Sequence, residues 1–75
     1  MKIKFSRHAK RRAKLYKIPG FVISEILENM EFSHGRNEII KKAAGFKFPL
    51  KIIVDMKNDI LTVVTTYPLR KGKEK

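Results

Sequence analysis

The chain has no cysteine and no tryptophan, and its apolar runs are four residues long or shorter. Without cysteine there is no disulfide and no thiolate metal site, so 75 residues must fold on packing alone. The apolar runs fall far short of the roughly 20 residues that a membrane-spanning helix needs. The opening stretch, MKIKFSRHAKRR, also lacks the apolar segment of a secretory signal peptide. We therefore expect a cytoplasmic domain that has no membrane association.

Acidic residues are scarce and unevenly placed. Eighteen Lys and Arg against seven Asp and Glu give a formal charge of +11. Residues 1–19 hold eight cations and no acid, whereas residues 20–35 hold three glutamates and no Lys or Arg. A field of this strength favours anionic partners such as nucleic acid or an acidic protein. The pattern predicts a polarised positive surface, although a lysine excess that only keeps a small protein in solution is the simpler alternative.

The first third of the chain predicts one strand and two helices. KIKF (residues 2–5) alternates at period two as a strand does, and Ser6 is a helix N-cap residue. A first helix is expected at about residues 7–17, because Ala9, Ala13 and Tyr16 recur at helical spacing. Pro19 fits the first turn of a second helix. The apolar face of that helix consists of Val22, Ile23, Ile26, Leu27 and Met30.

Three strands are expected in the remainder, at residues 38–44, 47–56 and 60–68, with a tight turn at 57–59. In the second of these strands, alternate residues from Phe48 to Met56 are apolar. Pro49 lacks a backbone N–H, so it predicts an edge or a bulge at that end of the strand. The predicted fold is α+β in the order β-α-α-β-β-β, an antiparallel sheet with both helices on one face. A single domain would span residues 1–69, and residues 70–75 would form a basic disordered tail.

The order of several short motifs resembles a known family. RHA-x-x-R near the start, YKIP before the acidic helix, ILEN at its end, then GR and finally VVTTYP occur in this order over nearly the whole chain. They resemble a family of small bacterial and archaeal domains in the RelE/ParE-like toxin superfamily, close to BrnT-type toxins. The resemblance implies the same fold, with the open face and the edges of the sheet as the working surface. Its relatives include ribosome-dependent ribonucleases, gyrase inhibitors and proteins with no established activity.

Four residues are candidates for metal-independent RNA cleavage, which needs a base, an acid and cations around the phosphate. His8 and Arg12 lie one helical turn apart and match RHA-x-x-R, while Arg36 matches GR and Tyr67 matches TYP. We take His8, Arg12 and Tyr67 as catalytic candidates. Structural alternatives stay open: His8 could bond a backbone carbonyl, Arg12 could pair with Glu38, and Tyr67 could be half-buried packing. No catalytic motif of well-studied RelE toxins is matched residue by residue.

Several Lys and Arg residues are candidates for binding phosphate groups. The sequence shows no metal-binding or cofactor-binding motif. Three hypotheses follow: a toxin-like domain that engages RNA or the ribosome and cleaves mRNA, a nucleic-acid-binding module without catalysis, and an interaction domain for an acidic antitoxin-like protein. The candidate nucleic-acid-binding residues are Lys10, Arg11, Lys14, Arg36, Arg70 and Lys71.

Overall fold

The computed structural model describes residues 2–43 and 45–69, which form two helices and a four-stranded sheet. The predicted tail at 70–75 lies outside the described residues. The elements follow the order β-α-α-β-β-β, as the sequence predicts. Their bounds are β1 (Lys2–Phe5), α1 (Arg7–Leu15), α2 (Gly20–Glu28), β2 (Gly35–Lys41), β3 (Leu50–Lys57) and β4 (Ile60–Pro68). Neither described helix is long and apolar enough to span a membrane.

The sheet is mixed, so the prediction of an antiparallel sheet is wrong for one strand. The strand order is β1-β4-β3-β2, and β1 runs parallel to β4 while the other pairs are antiparallel. A parallel pair requires a long crossover, and the chain between β1 and β4 supplies one. Lys2 donates its backbone N–H to the carbonyl of Asp59 at 3.0 Å, which fixes the start of this register.

The core lies between the two helices and one face of the sheet. Ala9 and Ala13 of α1 and Ile23 and Leu27 of α2 are buried in a single cluster with the inward-facing strand residues. The inward strand residues in this cluster are Ile39, Leu50, Ile52, Val54, Leu61 and Val63. The opposite face of the sheet is not covered by the described helices, so the sheet has one packed face and one open face.

Hydrogen bonds at both ends of α1 explain why it begins and ends where it does. The Ser6 hydroxyl accepts a hydrogen bond from the N–H of Ala9 at 3.0 Å, which confirms the predicted N-cap. The helix ends at Leu15, two residues earlier than expected, because Lys17 takes a left-handed conformation with φ of 57°. Ile18 N–H then bonds to the Ala13 carbonyl at 2.8 Å, the pattern of a Schellman motif. Pro19 is the N-cap of α2, one residue before the predicted position.

The strand bounds differ most from prediction at β2, which spans 35–41 and not 38–44. Gly35, which precedes the predicted strand, begins β2 with φ of 96°, a conformation that other residues rarely adopt. The side-chain amide of Asn37 donates to the carbonyls of Gly35 (3.0 Å) and Ser33 (2.8 Å), which organises the turn before it. β3 starts at Leu50, so Phe48 and Pro49 precede the strand. β1 and β4 have the predicted bounds.

A β-bulge interrupts the pairing of β3 with β4. Ile53 pairs with Thr65 and Val54 pairs with Val63, which leaves Val64 as the extra residue. The bulge changes the side of the sheet on which the later residues lie. Val63 faces the core, whereas Tyr67, in register with Lys51, faces the open side. Without the bulge, regular alternation along β4 would place Val63 and Tyr67 on the same face.

Candidate nucleic-acid interface

The exposed face of α1 carries a ridge of cations. Arg7, Arg11 and Lys14 recur at i, i+4 and i+7, opposite the buried Ala9 and Ala13, and all three are exposed. The outward direction of this ridge follows from the two small residues that pack α1 against the sheet. Successive cations are therefore one helical turn apart, about 5.4 Å along the axis. We call Arg7, Lys10, Arg11 and Lys14 the basic ridge.

No carboxylate lies on α1 or on the two strands beneath it. α1 packs over β4 and β1, and none of these three elements contains an Asp or a Glu. The acids of the described chain lie on α2, β2, β3 and the connecting segments. The polarised charge predicted from the sequence therefore persists in the fold. The positive charge of the ridge is therefore not neutralised by any acidic side chain of α1, β1 or β4.

A shallow groove borders the basic ridge on one side. Lys10 and Lys14 lie at its margin, and its volume is about 360 Å³. Its remaining lining comes from the inward face of β1, from α1, from the link between the two helices and from the start of α2: Phe5, Ala13, Ile18 and Gly20. An apolar floor next to two lysines can accept a ligand that carries both a flat apolar part and negative charge.

Only two of the three catalytic candidates are neighbours: His8 and Arg12 lie one turn apart on α1, whereas Tyr67 lies on the other face of the sheet. His8 is exposed on α1, on the same side as Arg11. Arg12 is half-buried and donates from Nη1 to the Tyr16 hydroxyl oxygen at 3.3 Å. Arg36 and Tyr67 lie on the open face of the sheet, opposite the helices, and near opposite ends of their strands. Arg36 is in register with Asp55, so an acid lies beside it.

The structural alternatives for these residues are answered in part. Ser6, not His8, caps the start of α1. Glu38 forms an ion pair with Lys51, and the Lys51 Nζ lies 3.4 Å from the Glu38 Oε1. Arg12 does not pair with Glu38 but contacts Tyr16. Tyr67 is half-buried beside Lys51. Of the predicted phosphate-binding residues, Lys10, Arg11 and Lys14 share one surface and Arg36 lies apart. Arg70 and Lys71 lie outside the described residues.

The sequence interpretation missed a second surface, around Phe21. This phenylalanine is 72% exposed, the largest exposed fraction of the big apolar side chains in the described chain. It lies beside the apolar stripe of α2 and not within it. A large apolar residue out of phase with the helical stripe, directly after Pro19 and Gly20, was the signal available in the sequence.

Comparisons with protein-family models, with curated proteins and with solved structures found no match. Among residues 2–43 and 45–69, no three His, Asp or Glu side chains are grouped so that they could hold a metal ion. The functional assignment of the surface therefore depends on its own chemistry.

Proposed function

We propose that the chain binds RNA through the basic ridge of α1. The observation that carries this proposal is that α1 and the two strands beneath it contain four exposed cations on the ridge and no acid. Phosphate groups that contact these cations would release counterions, which drives association. The resemblance to RelE/ParE-like toxins supports RNA, free or in the ribosome, as the first polyanion to test.

Binding without catalysis fits the geometry better than cleavage does. Of the catalytic candidates, only His8 lies with the ridge cations. Arg12 is engaged with Tyr16, and Arg36 and Tyr67 are on the other face of the sheet. Proton transfer at a phosphate needs a base and an acid within hydrogen-bond reach of one substrate group. A base on one face and an acid on the other do not meet this condition.

Cleavage is a second candidate function because His8 is exposed beside Arg7 and Arg11. An imidazole next to two guanidinium groups could take the proton of a ribose 2′-hydroxyl while the cations hold the phosphate. In this version the ridge alone would form the site. The toxin-like activity that the resemblance implies would then depend on His8.

The test incubates the purified chain with a mixed RNA pool, with and without ribosomes, at two salt concentrations, and scores binding and cleavage. The test variant replaces Arg7, Arg11 and Lys14 by alanine. A control variant of equal net charge replaces Lys42, Lys47 and Lys57, which are exposed and lie outside α1. We expect the ridge variant to lose about tenfold or more in affinity, and the control to change far less.

Two outcomes would contradict the binding proposal: affinity that does not depend on salt, or equal losses in the two triple variants. Equal losses would mean that total charge, and not the ridge, attracts RNA. Cleavage that disappears in His8→Ala while binding persists would establish the second candidate. Cleavage that persists in His8→Ala would exclude it.

A further inference from the structure

A second groove lies between α2 and the segment that joins β2 to β3, and none of the four ridge cations lines it. Its volume is about 870 Å³, within the range of about 300–1,000 Å³ that is usual for binding pockets. One wall comes from α2 and the residues on either side of it, and the other from the segment after β2. The apolar lining residues are Pro19, Phe21, Val22, Ile26, Met30, Ala43 and Phe46.

Phe21 marks this groove as a contact surface. Its side chain is 72% exposed, whereas its neighbours Val22 and Ile23 turn towards the core. Folding therefore gains little from burying this ring. Exposed aromatic residues beside an apolar groove are typical of protein interfaces, since aromatic side chains supply much of the contact energy there. The apolar part of the occupant would pack against Phe21.

The charges around the groove indicate the sign of the occupant. Lys17 and Lys41 line it, and the exposed Lys42 and Lys47 lie on the segment that forms its second wall. Glu25 is the one acid in the lining. A second copy of this chain would bring a net charge of +11 against another +11, which opposes self-association. An acidic occupant would instead be attracted by the positive charge of the chain.

We propose that this groove binds a short acidic segment of a partner protein. Apolar side chains of that segment fill the space beside Phe21, and its carboxylates face Lys17 and Lys41. The groove would thus bind a protein segment, whereas the basic ridge would bind RNA. It does not depend on RNA binding, so either proposal can fail while the other stands.

The experiment selects binders from a display library of random twelve-residue peptides on the immobilised full chain, with counter-selection on Phe21→Ser. Enriched peptides are synthesised, and their affinity is measured by fluorescence anisotropy. Phe21→Ser and Lys41→Glu are the test variants. Leu15→Ser, which removes another exposed apolar side chain, and Lys57→Glu, which reverses a charge outside the groove, are the matched controls.

We expect enriched peptides to carry net negative charge and at least two apolar residues. Their affinity should fall about tenfold or more in both test variants, which corresponds to about 1.4 kcal/mol, and change little in the controls. Neutral or basic binders would overturn the proposal, as would acidic binders that ignore Phe21→Ser. Self-association in sedimentation that Phe21→Ser abolishes would also overturn it and assign the groove to a second copy. Retained RNA binding by Phe21→Ser would separate this result from the ridge.

Discussion

The Ser6 hydroxyl donates a hydrogen bond to the carbonyl oxygen of Val64, 3.0 Å away and 58 positions later in the chain. The Ser6 hydroxyl oxygen also accepts the N–H of Ala9, and the backbone N–H of Ser6 donates to the Val63 carbonyl at 3.0 Å. Val64 is the extra residue of the β4 bulge. One small side chain therefore joins the start of α1 to the irregular point of the sheet, and so fixes the position of the basic ridge over β4.

Replacing Ser6 by alanine should lower the free energy of unfolding by about 2 kcal/mol. The variant loses the helix cap and leaves the Val64 carbonyl without its hydroxyl donor. Denaturant unfolding measures the change. Ser33→Ala is the control, because it removes an exposed hydroxyl that bonds only within a surface turn, and it should cost less than about 0.5 kcal/mol. A loss in Ser6→Thr as large as in Ser6→Ala would contradict the role of the hydroxyl.

Lys17→Gly should raise the free energy of unfolding by about 0.5–1 kcal/mol. Lys17 has a φ of 57°, which is costly for a residue with a Cβ and easy for glycine. Thermal unfolding of the variant tests this. Lys17→Ala loses the same charge without relieving the backbone and should not stabilise, and Lys14→Gly, inside α1, should destabilise by about 1 kcal/mol. A stabilisation by Lys17→Ala equal to that of Lys17→Gly would assign the effect to charge.

Thr66→Val should stabilise the fold by about 1 kcal/mol. Thr66 is fully buried, and within the described chain its Oγ1 has no hydrogen-bond partner. Valine has nearly the same shape and removes the cost of desolvating the hydroxyl. Thr66→Ser keeps the hydroxyl but loses a methyl group, so it should destabilise. Destabilisation by Thr66→Val would show that the hydroxyl has a partner in solution.

The affinity for RNA should fall with salt at a slope of log K against log salt of about −3. This value follows from about four phosphate contacts on single-stranded RNA, one for each ridge cation. Anisotropy titrations across a range of salt concentrations measure the slope. Lys14→Ala should reduce its magnitude by about 0.7, and Lys57→Ala should leave it unchanged. A slope that changes equally in both variants would contradict a localised site.

The sequence predicted the elements whose patterns are set by burial. β4 is rich in β-branched residues, and its bounds are confirmed. The bounds of β2 were wrong because Arg36 and Asn37 lie on an edge strand, where polar side chains reach solvent and the alternation is lost. The direction of β1 could not be predicted from KIKF, because a four-residue alternation looks the same in parallel and antiparallel pairs.

The candidate site was predictable in charge but not in arrangement. The acid-free stretch at the start of the chain predicted a positive surface that includes Lys10, Arg11 and Lys14, but Arg7, the fourth ridge cation, was not among the candidates. Local sequence could not show that the bulge at Val64 puts Tyr67 on the open face of the sheet, opposite α1 and His8. The sequence interpretation considered only a long-range pair of Arg12 with Glu38, and it missed the local contact with Tyr16, four positions later.

The pairing of β1 with β4 also constrains the kinetics of folding. During synthesis β1 and α1 are made first, yet the strand that covers Ala9 and Ala13 is the last of the four to be made. The basic ridge therefore cannot take its final place until the chain has been made through residue 68. Contacts this distant in sequence slow folding relative to a helical bundle of the same size. A chain that stops before β4 would contain every ridge cation but not the strand on which α1 packs.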